Sequence, residues 1–405
     1  MDNSVPRLGT AFNDGTLALI AVAIALVGFA AWAARGPNAE KTDFALTYVG
    51  AHIVHQGQGR HLYDMGLQVK LRDSIFHNPS PLYFEHPPFE ALALAPLAAL
   101  PFRTAYLVWC SLNIVVLLGV IVWSRSSLLW PSDDIGYLFL WLIFAPVLVA
   151  IYQGQSSIMV LAAYAAAVVF LKANRPSVAG VLFGLALLKF QFAIPFTIVF
   201  LLRRQWKFVA GFSLTGTLLG LCSLIGIGWQ GVADYVWLLS QIGKNPQNIS
   251  YGSAVDMPTL HGLVFAIASH ALNSTGLGLI VAMLSIGLLA WVAWKWNDYW
   301  EASFAAAVAA SLLCGSHMFT HDFSPLGIAM FLAAGSLKFV GPPLRIATGV
   351  ILAVFWTFPL YFLFVKWHCL YVLALALLAF TWCCLRVAQQ IPVSRSCKLQ
   401  PMAAG

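Results

Sequence analysis

Apolar residues in this chain run continuously, in stretches of about 15–22, each long enough or nearly long enough to cross ~30 Å of hydrocarbon. Polar residues gather in the breaks between them. The pattern predicts crossings near 16–34, 104–123, 136–152, 155–171, 176–188, 190–202, 207–228, 277–294, 301–315, 320–335, 344–363 and 368–385. Continuous runs exclude a membrane β-barrel, whose strands alternate. Composition agrees: 60% of the 405 residues are hydrophobic and 9% are charged, against roughly 25% charged in soluble domains. The expected fold is an all-α polytopic membrane protein, one integral domain over 1–405.

Two stretches strain the pattern. Residues 173–202 must form two short helices hinged near Lys189. A single long helix would part Lys172 and Arg175 from Arg203 and Arg204. Residues 88–101 are apolar but short and proline-flanked, and read as a half-inserted segment. Thr16–Ala34 reads as a retained first span, being long for a signal peptide and lacking a convincing A-x-A cleavage site.

Basic residues assign the sides. Lys172 with Arg175, Arg203 with Arg204 and Lys207, Lys338 with Arg345, and Arg386 with Arg395 and Lys398 form four groups. Placing all four in the cytoplasm satisfies the positive-inside rule and leaves both termini cytoplasmic. The net charge of +7 is then an orienting charge, with no nucleic-acid partner implied. The other side, extracytoplasmic in a bacterial-type inner membrane, receives the loops 35–88 and 229–276. It also receives the Gly154–Gln155 turn, Lys189 and His321–Asp322. The seven cysteines lie mainly inside apolar runs without a CxxC pair, and read as small core residues.

Chemistry-bearing residues gather on that one side. Asp43 follows Thr42, which is expected to N-cap a short surface-lying amphipathic helix through Phe44, Tyr48, Val49 and Ile53. Asp43 is either a helix-terminus charge or a reactive carboxylate. Lys189 is the only charge between Ser177 and Leu202, and either snorkels to the interface or awaits an anion such as a lipid phosphate. His317 and His321, four apart, would share a helix face, but no third metal ligand accompanies them. His321 reads as a hydrogen-bond donor to phosphate or hydroxyl with Asp322 orienting a ring, or else as an interfacial histidine. Glu85 and His86 compete with Asp43 for a catalytic role, Gln155 is a hydroxyl or phosphate ligand, and Tyr63 is a packing residue or sugar contact. Phosphate-loop, nucleophile-elbow and HExxH motifs are absent, so no cofactor is expected and an activated donor would come from the membrane. A transporter or lipid flippase is the competing class, although no paired internal repeat is evident. A non-catalytic assembly factor is a third.

Thr42–Asp43, Gly59 with Leu62–Tyr63–Asp64, Pro87–Pro88–Phe89, Pro96–Leu97, Leu100–Pro101, Trp109 with Asn113, Gly154–Gln155, Ala179–Gly180, Leu188–Lys189, Arg203–Arg204–Gln205–Trp206 and His321–Asp322 occur in an order and spacing that resembles glycosyltransferase family 87. Phe190 and Ser157 depart from it, standing where the family often has Pro and Asn. The resemblance implies a GT-C-like bundle of about twelve transmembrane helices whose extracytoplasmic first loop carries short surface helices. It implies sugar transfer, mannose first and arabinofuranose next, from a polyprenyl-phosphate donor to a lipid-linked or glycan acceptor. It further implies Asp43 as general base, Lys189 and His321 near the donor phosphate, and Gln155 in the cavity.

Overall fold

A computed structural model describes residues 14–36, 38–77, 83–125, 134–244, 254–297 and 299–391. Cys397, Arg395 and Lys398 lie outside them, as does the middle of the 229–276 loop. The described residues are helical, with no strand. In chain order the α-helices are α1 (Asp14–Arg35), α2 (Asp43–His55), α3 (Met65–Ile75), α4 (Pro88–Leu94), α5 (Phe102–Arg125), α6 (Asp134–Ile143), α7 (Ala145–Gln153), α8 (Ser157–Lys172) and α9 (Pro176–Phe183). They continue with α10 (Phe190–Leu202), α11 (Trp206–Lys244), α12 (Leu260–Ala268), α13 (Ser274–Lys295), α14 (Trp300–Leu313), α15 (Leu326–Ser336), α16 (Pro342–Trp356), α17 (Phe358–Lys366) and α18 (Val372–Gln390).

Among the described residues, six helices are long and apolar enough to cross a membrane, or eight if two bent pairs, α6–α7 and α16–α17, each count as one span. The twelve expected crossings are not confirmed by this count, which takes 176–202 as a single span. The shortfall lies in the centre of the molecule. Helix α8 has 16 residues, α14 has 14 and α15 has 11, and these apolar helices are buried among the others. The stretch 207–228 continues as helix beyond the expected loop boundary at Trp229, with a break at Gly228, whose φ of 70° suits glycine.

Residues 176–202 are continuous enough in helix to pass as one span of 27 residues, yet the side chains show a reversal. Phe183 and Phe196 have ring centroids 4.7 Å apart, and both rings pack on Tyr164. Thirteen residues of straight helix would separate them by roughly 20 Å. The chain turns at Lys189, whose φ/ψ of −127°/66° breaks the helix after a 3₁₀ stretch, Gly184–Lys189. Two short antiparallel legs with Lys189 at the tip result, as the charge pattern predicts. At the open end Phe200 stacks on Phe208 at 4.3 Å, and Gly180 and Gly211 let α9 and α11 touch backbone to backbone.

The hairpin aligns both ends of the bundle. Lys172, at the end of α8, reaches Glu301 at the start of α14, and Tyr299 bonds Ser336 at the end of α15. Lys172, Arg175, Arg203, Arg204 and Lys338 thus gather at one end. Lys189, Gln155, Ser157, His321 and Asp322 gather at the other.

Candidate active site

Helix α2 is not the surface-lying element that its spacing suggests. Phe44, Ala45, Thr47, Tyr48, Val49, Gly50, Ala51 and Ile53 are buried, because the helix packs against α4 and the 3₁₀ turn Ala95–Ala99. Thr42 does not cap it either, since its hydroxyl donates to the Ala39 carbonyl at 2.7 Å. The free N–H of Asp43 is taken by Gln153 Oε1 at 3.1 Å. This satisfies one of the orphan donors of a helix start and leaves the Asp43 carboxylate for other partners.

Gln155 reaches that carboxylate from a turn built for the purpose. Gly154 ends α7 in the left-handed region at φ 63°, and a Cβ there would fall 2.7 Å from Phe44 Cβ. From α5, Tyr106 and Trp109 donate to the carbonyls of Tyr152 and Gly154 at 2.5 and 2.8 Å. Held this way, Gln155 Nε2 donates to Asp43 Oδ2 at 2.7 Å, and its Oε1 accepts from Lys189 Nζ at 2.9 Å.

Lys189 also lies 3.3 Å from Asp322 Oδ1. The chain from Ser316 to Phe323 is loop and 3₁₀ turn, not the continuous helix that would put His317 and His321 on one face. Asp322 Oδ1 accepts from Ser157 Oγ at 3.0 Å and Oδ2 from the Phe319 N–H at 3.1 Å. His321 stands between two carboxylates, Nδ1 3.9 Å from Asp43 Oδ2 and Nε2 3.4 Å from Asp322 Oδ1. Burial opposes charge on Asp322, yet His321 and Lys189 hold its carboxyl well below the usual range. Burial lowers His321 in spite of Asp322, and takes His317 down to about 4. Both rings are therefore neutral near pH 7.

These groups face a cavity of about 120 Å³, lined also by Leu46, Tyr83, Glu85, His86, Phe190 and Gln191. Burial raises Glu85 above the usual carboxylate range. Tyr63 is not in the cavity. It stacks on Tyr235 and Phe84 behind the wall, and its hydroxyl donates to the His86 carbonyl at 2.7 Å. Among the described residues, no three His, Cys, Asp or Glu side chains are grouped to hold a metal ion. Beside the cavity runs an apolar groove of about 720 Å³ between α4, α5, α8 and the hairpin, and Leu188 lines both spaces.

A family model described as glycosyltransferase family 87 matches residues 84–320, more than half of the chain. The chain belongs to glycosyltransferase family 87. It is a membrane glycosyltransferase, and the family is of the GT-C type. No curated protein and no solved structure matches it. Within the family-87 stretch lie Glu85, His86, Gln155 and Lys189; Asp43 precedes it, and His321 and Asp322 follow directly. Among the residues predicted from sequence, all but Tyr63 line one cavity. Gln153, Ser157 and Glu90 carry the site without having been foreseen. Glu90 had a readable signal, since it stands four residues after His86 at the start of a helix.

Proposed function

We propose that this glycosyltransferase moves mannose from a polyprenyl-phosphate donor to a lipid-linked or glycan acceptor, with inversion at the anomeric carbon. The observation that carries this reading is the pairing of an accessible carboxylate with a cation in one cavity beside an apolar groove. Asp43 is about one-quarter exposed to that cavity and is aimed by Gln155. A carboxylate so placed can take the proton of an acceptor hydroxyl as its oxygen attacks. One displacement inverts the centre, with no second carboxylate needed as a nucleophile. The bond to the phosphate oxygen breaks as the new bond forms. Lys189, fixed at the hairpin tip, stabilises the charge that develops there, and His321 adds a neutral hydrogen-bond donor. The groove supports a lipid-linked donor, since it offers an isoprenoid chain an apolar berth next to the charged cavity.

The gathering of basic residues at the opposite end supports an extracytoplasmic site, with the 35–88 and 229–276 segments on that face and both termini in the cytoplasm. The test is to incubate purified protein with radiolabelled polyprenyl-phosphate mannose and membrane lipids, then identify the labelled product. A mannosylated lipid or glycan is the expected result. Movement of the donor across vesicles without transfer of label would overturn the reading in favour of a transporter.

A further inference from the structure

One charged pair in the cavity wall has no part in the sugar-transfer scheme above. His86 Nδ1 lies 2.9 Å from Glu90 Oε2, and the Glu90 side chain is only 4% exposed. The pair is held from both sides. Pro87 and Pro88 fix the chain into α4, and the Tyr63 hydroxyl clamps the His86 carbonyl. With Nδ1 committed to the carboxylate, Nε2 is the free end of the ring, and His86 lines the cavity. No described side chain bonds that nitrogen.

The position matters as much as the pair. Glu90 borders the apolar groove, and Leu188 lines groove and cavity alike. An amphiphile with its chain in the groove would have its phosphate at this seam. In-line displacement requires base and leaving group on opposite sides of the anomeric carbon. His321, neutral and set between Asp43 and Asp322, can offer the phosphate a hydrogen bond but no proton, and the Lys189 ammonium is shared between Gln155 and Asp322.

We propose that His86 is the general acid of the transfer, giving its Nε2 proton to the departing phosphate, and that Glu90 keeps the ring charged until it does so. This deepens the polyprenyl-phosphate reading and rests on it. The acceptor proton passes to Asp43 while the acceptor oxygen bonds to the anomeric carbon. The bond from that carbon to the phosphate oxygen breaks, and its electron pair stays on oxygen. That oxygen takes the His86 proton, so polyprenyl hydrogen phosphate and a neutral imidazole remain, with Glu90 ionised throughout. A phosphate monoester has a second pKa of about 6, within range of an imidazole donor.

Of the three histidines on the cavity, His86 is the one whose charge is favoured. Burial works against it, but the Glu90 carboxylate prevails and raises it above the usual histidine value, with Glu85 assisting and Lys189 opposing. His317 and His321, which also face it, are neutral. The rate should therefore fall as pH rises through the elevated His86 pKa.

The experiment is a pH–rate profile of kcat for mannose transfer from polyprenyl-phosphate mannose by the wild type, His86→Gln and Glu90→Gln. Expected are a roughly 10²-fold or greater loss in His86→Gln with the alkaline fall abolished, and in Glu90→Gln the same fall displaced to lower pH. An unchanged alkaline fall in His86→Gln, or in Glu90→Gln, overturns the acid assignment while the transferase reading stands. If His86→Gln does not fold, Glu90→Gln decides alone by the same displacement. Absence of any transfer by the wild type overturns the donor reading and this proposal with it.

Discussion

Lys172 and Lys189 each reach a buried carboxylate, one at either end of the layer formed by α8 and the helical hairpin. Lys172 Nζ lies 3.6 Å from Glu301 and 5.6 Å from the centroid of Trp300. Glu301 is 2% exposed, with Oε2 unpartnered, and lines neither the Asp43 cavity nor the apolar groove. Lys189 lies at a similar distance from Asp322, but Asp322 also accepts from Ser157 and the Phe319 N–H, and the pair opens onto the space beside Asp43. One pair ties helix ends together; the other keeps a cation oriented where a ligand can meet it. The difference comes from the surroundings, since the two ion pairs are chemically alike. A charge is available for chemistry only when hydrogen bonds from rigid elements hold it beside a space.

The largest separation between the two ends is expected from Asp43→Asn, which keeps the Gln155 contact but removes the proposed base. Sugar transfer should drop by roughly 10²–10⁴-fold with the melting temperature little changed, as measured by radiolabel transfer and by scanning fluorimetry. Near wild-type transfer would remove Asp43 from the mechanism. Lys189→Met should lower kcat by about 10²–10³-fold, the scale of losing one preorganised charge contact. Matching Lys172→Met should leave kcat close to wild type. It should instead reduce Tm, since stranding a buried carboxylate costs roughly 3–5 kcal/mol at full burial, and less here because Lys172 reaches the rim. If Lys172→Met lost activity at unchanged Tm, the contrast between the two ends would collapse. A smaller effect is expected from Gly154→Ala. Strain at positive φ and the clash with Phe44 should displace Gln155, lowering kcat about tenfold. An added Gln155→Leu should then have less effect than it has alone, because both changes break one contact.

The hairpin at Lys189 was legible from charge alone, because a single helix between the two basic pairs would put them on opposite sides of the membrane. Asp43, Gln155, Lys189 and His321–Asp322 were legible as residues out of place in an apolar chain. The crossing count was not legible. Helices α8, α14 and α15 are apolar but shorter than the helices that length and composition pick out as spans, and hydropathy does not distinguish hydrocarbon from a protein interior. The depth of α2 was hidden for the same reason. Its buried face includes Thr47 and Gly50, where Gly50 lies against the Phe84 ring, a contact no local pattern announces. Tyr63 carried two readings because an aromatic near a site can face either way, and the packing one holds, since it stacks on Tyr235. Ser157 was visible only as a departure from the family pattern, yet its hydroxyl holds Asp322.

The central helices are short. At 1.5 Å per residue, α8 spans about 24 Å, α14 about 21 Å and α10 about 20 Å, against ~30 Å of hydrocarbon. A bilayer meeting such a bundle must thin locally or let polar headgroups sink toward it. Under the proposed polyprenyl-phosphate reaction the mismatch has a use. A lipid phosphate could approach Lys189 from a dimple in the membrane surface without being dragged through hydrocarbon. Water-soluble acceptor groups could descend to Asp43 by the same depression. Lengthening the hairpin legs by one turn each would fill that dimple and lift the site to a depth where neither substrate has reason to stay.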